Sequence, residues 1–515
     1  MAKTTKKSKT GKSKAKLALG ITVVIMALFA VGYFVYFSGI VPQLLTGMTI
    51  TETKADGTTA KVADLSVLET NYYYMSIYSM YAQYGMINSD NLDKVVNEST
   101  GQTYRELLLS QGADEAMNLI LMEREAESKG FRQLSQASRC AKMELESLRG
   151  MAKLYGYNTV DRYIAAQYGT GMTSRIYRKC IERGLFTEEY QAYLSQFDNT
   201  IAPSDEAVKE QYKADPSKFE KVTFNYYLIV AQNDKDGKLD IAAAKKDAQW
   251  ISDKATDAKT FRSTVMTYLK GKNDTESLAK YENDADPTLI EDLTKTNVES
   301  YYDKNLAEYL FASDRKAGDK TVIETNTGAY VVMFGERKLD EEQAVTYRTL
   351  TLQNDAKNGK VRTNEEIAAD AKALADKAAQ LCPQGLDPLS FYKVAKENTA
   401  DQDEMLSGGY TAGETKADML EGDNGKEATA EQKALAEWLF DASRKQGDIR
   451  IVTSEDNRTV TVYYFEKTTA SWIVDAKNDQ TTENINKLKE SLKSTKPQYV
   501  INSDLIKNFI YHVNG

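Results

Sequence analysis

The sequence predicts a mixed α+β protein held in a membrane by one helix. Three observations carry that prediction: an uncharged run of 21 residues near the N-terminus, a following region patterned as helices alone, and a duplicated unit that alternates strand and helix patterns.

Residues 17–37 are free of charge from Leu17 to Phe37, long enough to span a hydrocarbon core of about 30 Å as a helix. The sixteen residues before them hold seven lysines and no acid, which by the positive-inside rule keeps residues 1–16 cytoplasmic and places the body beyond the membrane. A cleaved signal peptide is the competing reading. Its apolar region would usually be shorter, about 7 to 15 residues, and would end in a small-x-small site, for which Ala30-Val31-Gly32 is a weak match. The expectation is an uncleaved anchor, single-pass, in the cell membrane.

Removing the seven tail lysines from 66 basic residues leaves 59 against 75 acidic ones, a formal charge of −16 for the body. That sign argues against nucleic acid, which needs concentrated positive charge. Three cysteines do not make a disulfide framework; at most Cys140 and Cys180 pair. The single histidine, His512, leaves a Ser-His-Asp triad, a Cys-His pair or a multi-histidine zinc site with almost nothing to be built from. No cofactor and no metal are expected.

Residues 38–64 are polar and threonine-rich around Asp56-Gly57 and read as a linker or hairpin. Helical periodicity then runs through residues 65–84, 104–129, 135–155, 159–167 and 174–197, with joints at Gly130, Gly156 and Gly169-Thr170-Gly171. Ser204 followed by Asp205 and Glu206 reads as a helix start, with the acids where the helix dipole favours them. Residues 65–220 are therefore expected to be an all-helical domain. From residue 222 onward the chain becomes mixed, with strand patterns at 222–230, 321–324 and 330–334.

Residues 306–319 (LAEYLFASDRKAGD) and 435–448 (LAEWLFDASRKQGD) agree at nine of fourteen positions with a constant offset of 129. Each is followed by a strand pattern ending in charge, and Val222-Thr223-Phe224 upstream has a counterpart in Val345-Thr346-Tyr347. Two tandem copies of one domain are expected at 221–340 and 341–468, each running strand, helices, helix, strand hairpin. A C-terminal helical segment, residues 469–515, follows, with a helix at 482–492 and apolar residues Val500, Ile501, Leu505, Ile506, Phe509 and Ile510.

Residues 118–130 (NLILMEREAESKG), 168–178 (YGTGMTSRIYR) and 204–219 (SDEAVKEQYKADPSKF) together resemble the N-terminal chaperone domain of the SurA, PrsA and PpiD foldases. The two repeats resemble parvulin-type peptidyl-prolyl isomerase domains. The second is the clearer, through residues 390–401 (SFYKVAKENTAD) and Ser407-Gly408-Gly409-Tyr410. The first lacks that glycine turn and carries a charged stretch, residues 271–286, instead.

The resemblance implies a membrane-anchored extracytoplasmic chaperone or foldase that binds unfolded or newly secreted polypeptides, and a C-terminal segment, residues 469–515, that packs back on the helical domain. It also implies one histidine on the first strand and one on the last strand of each isomerase domain. The first-strand position falls near Tyr227 and Leu350, and the last-strand position near Tyr330 and Thr459, so both histidines are absent from both copies. The parvulin-like domains are therefore expected to be degenerate, with Tyr227 and Tyr330 as the weak catalytic candidates through their phenol donors. An active peptidyl-prolyl isomerase and a structural scaffold for a fixed partner are the alternatives. For client binding, the first helix offers a dense run of tyrosine and methionine. Tyr74, Ile77, Tyr78 and Tyr81 form its apolar stripe, while Tyr72, Tyr73, Met75 and Tyr84 are the candidates for the peptide-binding surface.

Overall fold

The computed structural model describes residues 40–54, 56–281, 285–355, 362–421 and 427–509, together with Met26. After a helical turn at Ile40–Leu44 come β1 (Thr46–Thr53) and β2 (Thr59–Ser66), then α1 (Val67–Gln83), the small hairpin β3 (Val95–Asn97) and β4 (Gln102–Thr103), α2 (Tyr104–Ser128), α3 (Ala137–Leu154), α4 (Val160–Tyr168), α5 (Ser174–Phe197) and α6 (Asp205–Ala214). The first repeat holds β5 (Lys221–Val230), α7 (Ile241–Lys254), α8 (Ala258–Lys272), α9 (Thr275–Lys280), β6 (Leu289–Thr294), α10 (Lys295–Tyr301), α11 (Lys304–Leu310), β7 (Lys320–Glu324) and β8 (Gly328–Lys338). The second holds β9 (Gln343–Gln353), α12 (Asn364–Leu381), α13 (Pro388–Asn398), α14 (Gln402–Ser407), β10 (Tyr410–Thr415), α15 (Lys416–Leu420), α16 (Ala430–Leu439), β11 (Ile449–Thr453) and β12 (Thr459–Ala470). The chain closes with α17 (Ser471–Leu492), β13 (Gln498–Ile501) and α18 (Ser503–Phe509).

The expected fold class is corrected. Among the described residues no helix is long and apolar enough to cross a membrane. The span expected at residues 17–37 lies, apart from Met26, outside the described residues, as do the tail at 1–16 and His512. Nor is the first domain all-helical, since the β3–β4 hairpin interrupts residues 65–220. Of the two readings of residues 38–64, linker or hairpin, the hairpin is the one formed, as β1–β2, and β13 adds to β1 from the far end of the chain, in the order β13-β1-β2. Local patterning could not show this, because β1 finds its partner about 450 positions away, at Met48 against Ile501. The C-terminal segment does return to the helical domain, but as helix, strand and helix: Ile485, Leu488 and Leu492 of α17 pack against the cluster of Phe131, Phe186 and Tyr190, and Ile506 enters the cluster of Tyr74 and Leu108.

Sequence-local signals set the helix starts. Ser66 caps α1 in a reciprocal box with Glu69, and Thr103 caps α2 with Glu106. Gly112 lets α2 lie on α1, since a Cβ there would meet the backbone of Tyr73 and Tyr74 at 2.9 Å. The three cysteines are free and buried, Cys140 beside Met405 and Cys180 in the cluster of Leu68, Leu145 and Tyr177, so the considered Cys140–Cys180 pairing does not form.

Both repeats fold to one topology, an antiparallel sheet ordered β6-β5-β8-β7 in the first and β10-β9-β12-β11 in the second. In each the ladder between first and last strand slips at the same place, leaving Gly335 and Glu466 as the extra residues. The N–H of Gly318 bonds Phe334 O (2.8 Å) and that of Gly447 bonds Phe465 O (3.0 Å). The offset of 129 at the glycines thus becomes 131 at the phenylalanines, because the second hairpin is two residues longer. The last-strand counterpart of Tyr330 is consequently Thr461, not Thr459.

The second repeat is seated in the helical domain by a buried ion pair. Lys396 Nζ lies 2.6 Å from Glu189, with side-chain exposures of 2% and 0%. Arg139 donates to the backbone oxygens of Lys396, Glu397 and Thr399, Arg348 to Gln196, and Tyr392 packs against Tyr193 and Phe197. The first repeat is tied at its base, where Lys221 pairs with Asp340 and Asp475 and Trp472 meets Tyr212 and Phe219. Breaking one partner of a buried pair strands the other charge, so Lys396→Met is expected to cost about 3–5 kcal/mol, and Lys396→Met with Glu189→Gln to recover part of it. Denaturant unfolding of both variants checks this; equal stability of wild type and Lys396→Met would show that the pair does not hold the seam.

Candidate functional site

Helix α1 is enclosed on most sides, by β1, α2, α4 and α5. Tyr73 and Met75 are therefore buried, and Tyr72 is stacked on Tyr168 (ring centroids 5.3 Å) and edge-on to Tyr73 (5.2 Å). Burial pushes the Tyr72 and Tyr73 phenols well above their ordinary range. Two of the four expected client-binding residues, Tyr73 and Met75, are thus core, and Tyr72 is half-buried between two core clusters. The stripe argument assumed one buried face, whereas this helix buries both faces of its first half. Tyr84 alone stands out, 72% exposed, with Met80 and Met86 at 46% and 58% in the same turn region.

In the first repeat, Tyr227 pairs across the ladder with Val331, and Tyr330 with Leu228. Directly opposed residues share a face and neighbours alternate. Tyr227 accordingly packs under α7 and α8 beside Ile229, Val331 and Met333, while Tyr330 lies on the other face beside Val332 and Phe334. The two candidates cannot act on one substrate group.

What the structure gathers on the Tyr330 face is a different set. Tyr226 from β5 lies 5.3 Å from Tyr330, and Tyr302, the residue that ends α10, meets Tyr226 edge-on at 5.0 Å. All three are half-buried above a floor of Phe224, Val332 and Phe334. Burial, then the neighbouring phenols of Tyr330 and Tyr302, pushes Tyr226 up to about 12; burial raises Tyr302 and Tyr330 as well. Each phenol therefore stays protonated at neutral pH as a hydrogen-bond donor. The surface can grip apolar groups by ring packing and donate to a carbonyl. In the second repeat the counterparts of Tyr226 and Tyr330 are Thr349 and Thr461, aligned by the bonds of Tyr226 N–H to Thr288 O and Thr349 N–H to Gly409 O.

Sequence reasoning missed Tyr226 and Tyr302. The signal for Tyr226 was its parity: it alternates in step with Val222 and Phe224. Tyr302 had none, since a helix end carries no sheet register.

The remaining chemistry of the described residues is sparse. Burial raises the thiols of Cys140, Cys180 and Cys382, to about 11, 12 and 12, so none is a thiolate nucleophile at neutral pH. Among the described residues no three His, Cys, Asp or Glu side chains are grouped to hold a metal ion. A cleft of about 370 Å³ between α5, the second repeat and α17 has its charges answered internally, Arg348 by Glu466 and both Lys467 and Lys477 by Asp205. No family model and no curated protein matches the chain.

Opposite faces predict independence. A double-mutant cycle of Tyr227→Phe and Tyr330→Phe, read by denaturant unfolding, should give a coupling below about 0.5 kcal/mol. Tyr226→Leu with Tyr330→Leu should couple by about 0.5–1.5 kcal/mol.

Proposed function

We propose that this chain is a foldase-like chaperone that binds unfolded or newly secreted polypeptides, in the manner of the SurA, PrsA and PpiD proteins it resembles in sequence. The reading rests chiefly on the half-exposed tyrosine face of Tyr226, Tyr302 and Tyr330, rigid aromatic area with neutral hydroxyl donors, which suits clients of many sequences. The second repeat, threonine-lined at those positions and locked into the helical domain, acts as structure. The exposed Met80, Tyr84 and Met86 supply a further apolar surface. The localisation proposed with this function is beyond the membrane from the lysine-rich tail, the side where newly secreted chains are met.

An isomerase is the second reading, favoured by one observation: the phenols remain protonated and could donate to a twisting X-Pro amide, whose barrier is about 18–20 kcal/mol and whose unassisted turnover takes tens to hundreds of seconds. Refolding of an aggregation-prone protein with a proline-limited slow phase separates the readings. With the full chain present, the yield is expected to rise while the slow rate stays unchanged. Tyr226→Ser with Tyr330→Ser should weaken client binding about thirtyfold, near 1 kcal/mol per ring. A catalytically faster slow phase would make the chain an isomerase, and no change in rate or yield would leave the scaffold reading.

A further inference from the structure

The two repeats differ at the edge of their first strands. Alternate residues of an antiparallel strand direct N–H and C=O to the same side. In β5, Tyr226 N–H bonds Thr288 O (2.8 Å) on the β6 side, and Ala231 N–H bonds Thr327 O (2.9 Å) on the β8 side. Leu228 and Val230 therefore turn toward the β6 side. Yet β6 pairs only as far as Leu289 against Asn225, and the edge is next occupied where Asp240 N–H bonds Gln232 O (2.8 Å). Between those points no described group meets the N–H or C=O of Leu228 and Val230 on that side.

The second repeat closes the equivalent place. Glu404 accepts the N–H of Thr351 (2.7 Å) and its hydroxyl (2.7 Å), and the Thr351 carbonyl accepts the Thr399 hydroxyl (3.1 Å) and the Ala400 N–H (3.3 Å). Register makes Thr351 the counterpart of Leu228, through Thr461 and Tyr330. The caps align the plug: Asp401 accepts Glu404 N–H at the start of α14 as Asp274 accepts Ser277 N–H at the start of α9, each at 2.9 Å. Glu404 thus corresponds to Ser277, whose side chain ends too soon to reach the strand. A cleft of about 630 Å³ stands there, walled by β5, Tyr227, Tyr268, Lys272 and Ser277.

We infer that this notch binds an extended polypeptide by strand addition to β5, its backbone making with Leu228 and Val230 the hydrogen bonds that Glu404, Thr399 and Ala400 make with Thr351 in the second repeat. An unpaired edge is a template for a passing strand. Val230, 56% exposed, adds an apolar patch beside it. The rim selects charge. Among the described residues Asp240, Asp247 and Asp274 face the cleft against Lys272 alone, which is held by Asp247 at 2.7 Å. A neutral carbonyl is then a better acceptor for Leu228 N–H than a second carboxylate would be, and basic side chains are favoured alongside. The inference rests on the polypeptide-binding reading and assigns it a site separate from the tyrosine face.

The test uses the full chain and a labelled peptide alternating valine and lysine, titrated by fluorescence anisotropy, with two isomers N-methylated on either all valine or all lysine nitrogens. Saturable binding is expected, weakened at least about tenfold by one isomer, little affected by the other, weakened similarly by Ser277→Glu, and unchanged by Ser277→Ala. Should Ser277→Glu not fold, hydrogen exchange in the wild-type chain reads the same site through slowing of the Leu228 and Val230 amides on adding peptide. No peptide binding, equal affinity of both isomers, full affinity of folded Ser277→Glu, or unchanged exchange would overturn the site. Suppression of client aggregation, measured in parallel, separates the two claims. A chain that suppresses aggregation but fails the peptide arms keeps the chaperone reading and loses the notch; one that passes them without suppression keeps the notch and loses the reading.

Discussion

A charged pair sealed from water between two parts of the chain is the constraint on which the arrangement depends. Lys396 comes from the second repeat and Glu189 from the helical domain, and neither is exposed. Burying each charge is costly unless the other groups around it are satisfied. Here they are: Lys396 also donates to the Tyr392 hydroxyl (2.8 Å) and lies over the Phe131 and Tyr392 rings, while Glu189 accepts the Ser135 hydroxyl and the Gln136 N–H. Burial pulls the Lys396 ammonium below its ordinary range and Glu189 opposes that pull. The seam holds only when the two parts meet in one geometry, which fixes the second repeat in place.

The two copies of one fold differ in how they meet the helical domain. The second repeat contributes helices α13 and α14 to the seam, and Met405 of α14 packs on Cys140. Its first strand is closed by Glu404, and its sheet carries threonine at Thr349 and Thr461, where the other copy has Tyr226 and Tyr330. The first repeat, tied through Lys221 and Trp472 at one end, keeps its sheet face aromatic, and among the described residues nothing fills its strand edge. The tyrosine face and the β5 edge share Leu228, whose side chain lies on the Tyr330 face while its backbone turns to the notch, so a client could engage both at once.

The element order was largely legible from residues alone. The Ser204 cap, read from its neighbours alone, coincides with a helix start, and the capping boxes at Ser66 and Thr103 and the Asp387-Pro388 start of α13, found in the structure, are local chemistry of the same kind. The 306–319 and 435–448 match foretold two copies of one topology, which the identical strand orders bear out. The failures share a cause. Tyr73 and Met75 looked like surface because one helix was considered without the elements that enclose it. Tyr330 was matched with Thr459 because a two-residue hairpin insertion is invisible to a constant offset. That the 38–64 hairpin belongs to a three-stranded sheet stayed hidden because the strand that completes it lies at the other end of the chain.

By itself, then, the sequence determined helices α1 to α6, strands β5, β7 and β8 and the duplication, because caps, periodicity and repeated motifs act over a few residues. Only the tertiary structure decided which face each tyrosine takes, that β13 closes on β1, that Lys396 meets Glu189, and that Glu404 fills a strand edge at Thr351. Each of these depends on register or on a partner far along the chain. A shift of one residue in a strand reverses its faces, and a side chain shorter by two atoms leaves a backbone unpaired, and neither is written in any local stretch of residues.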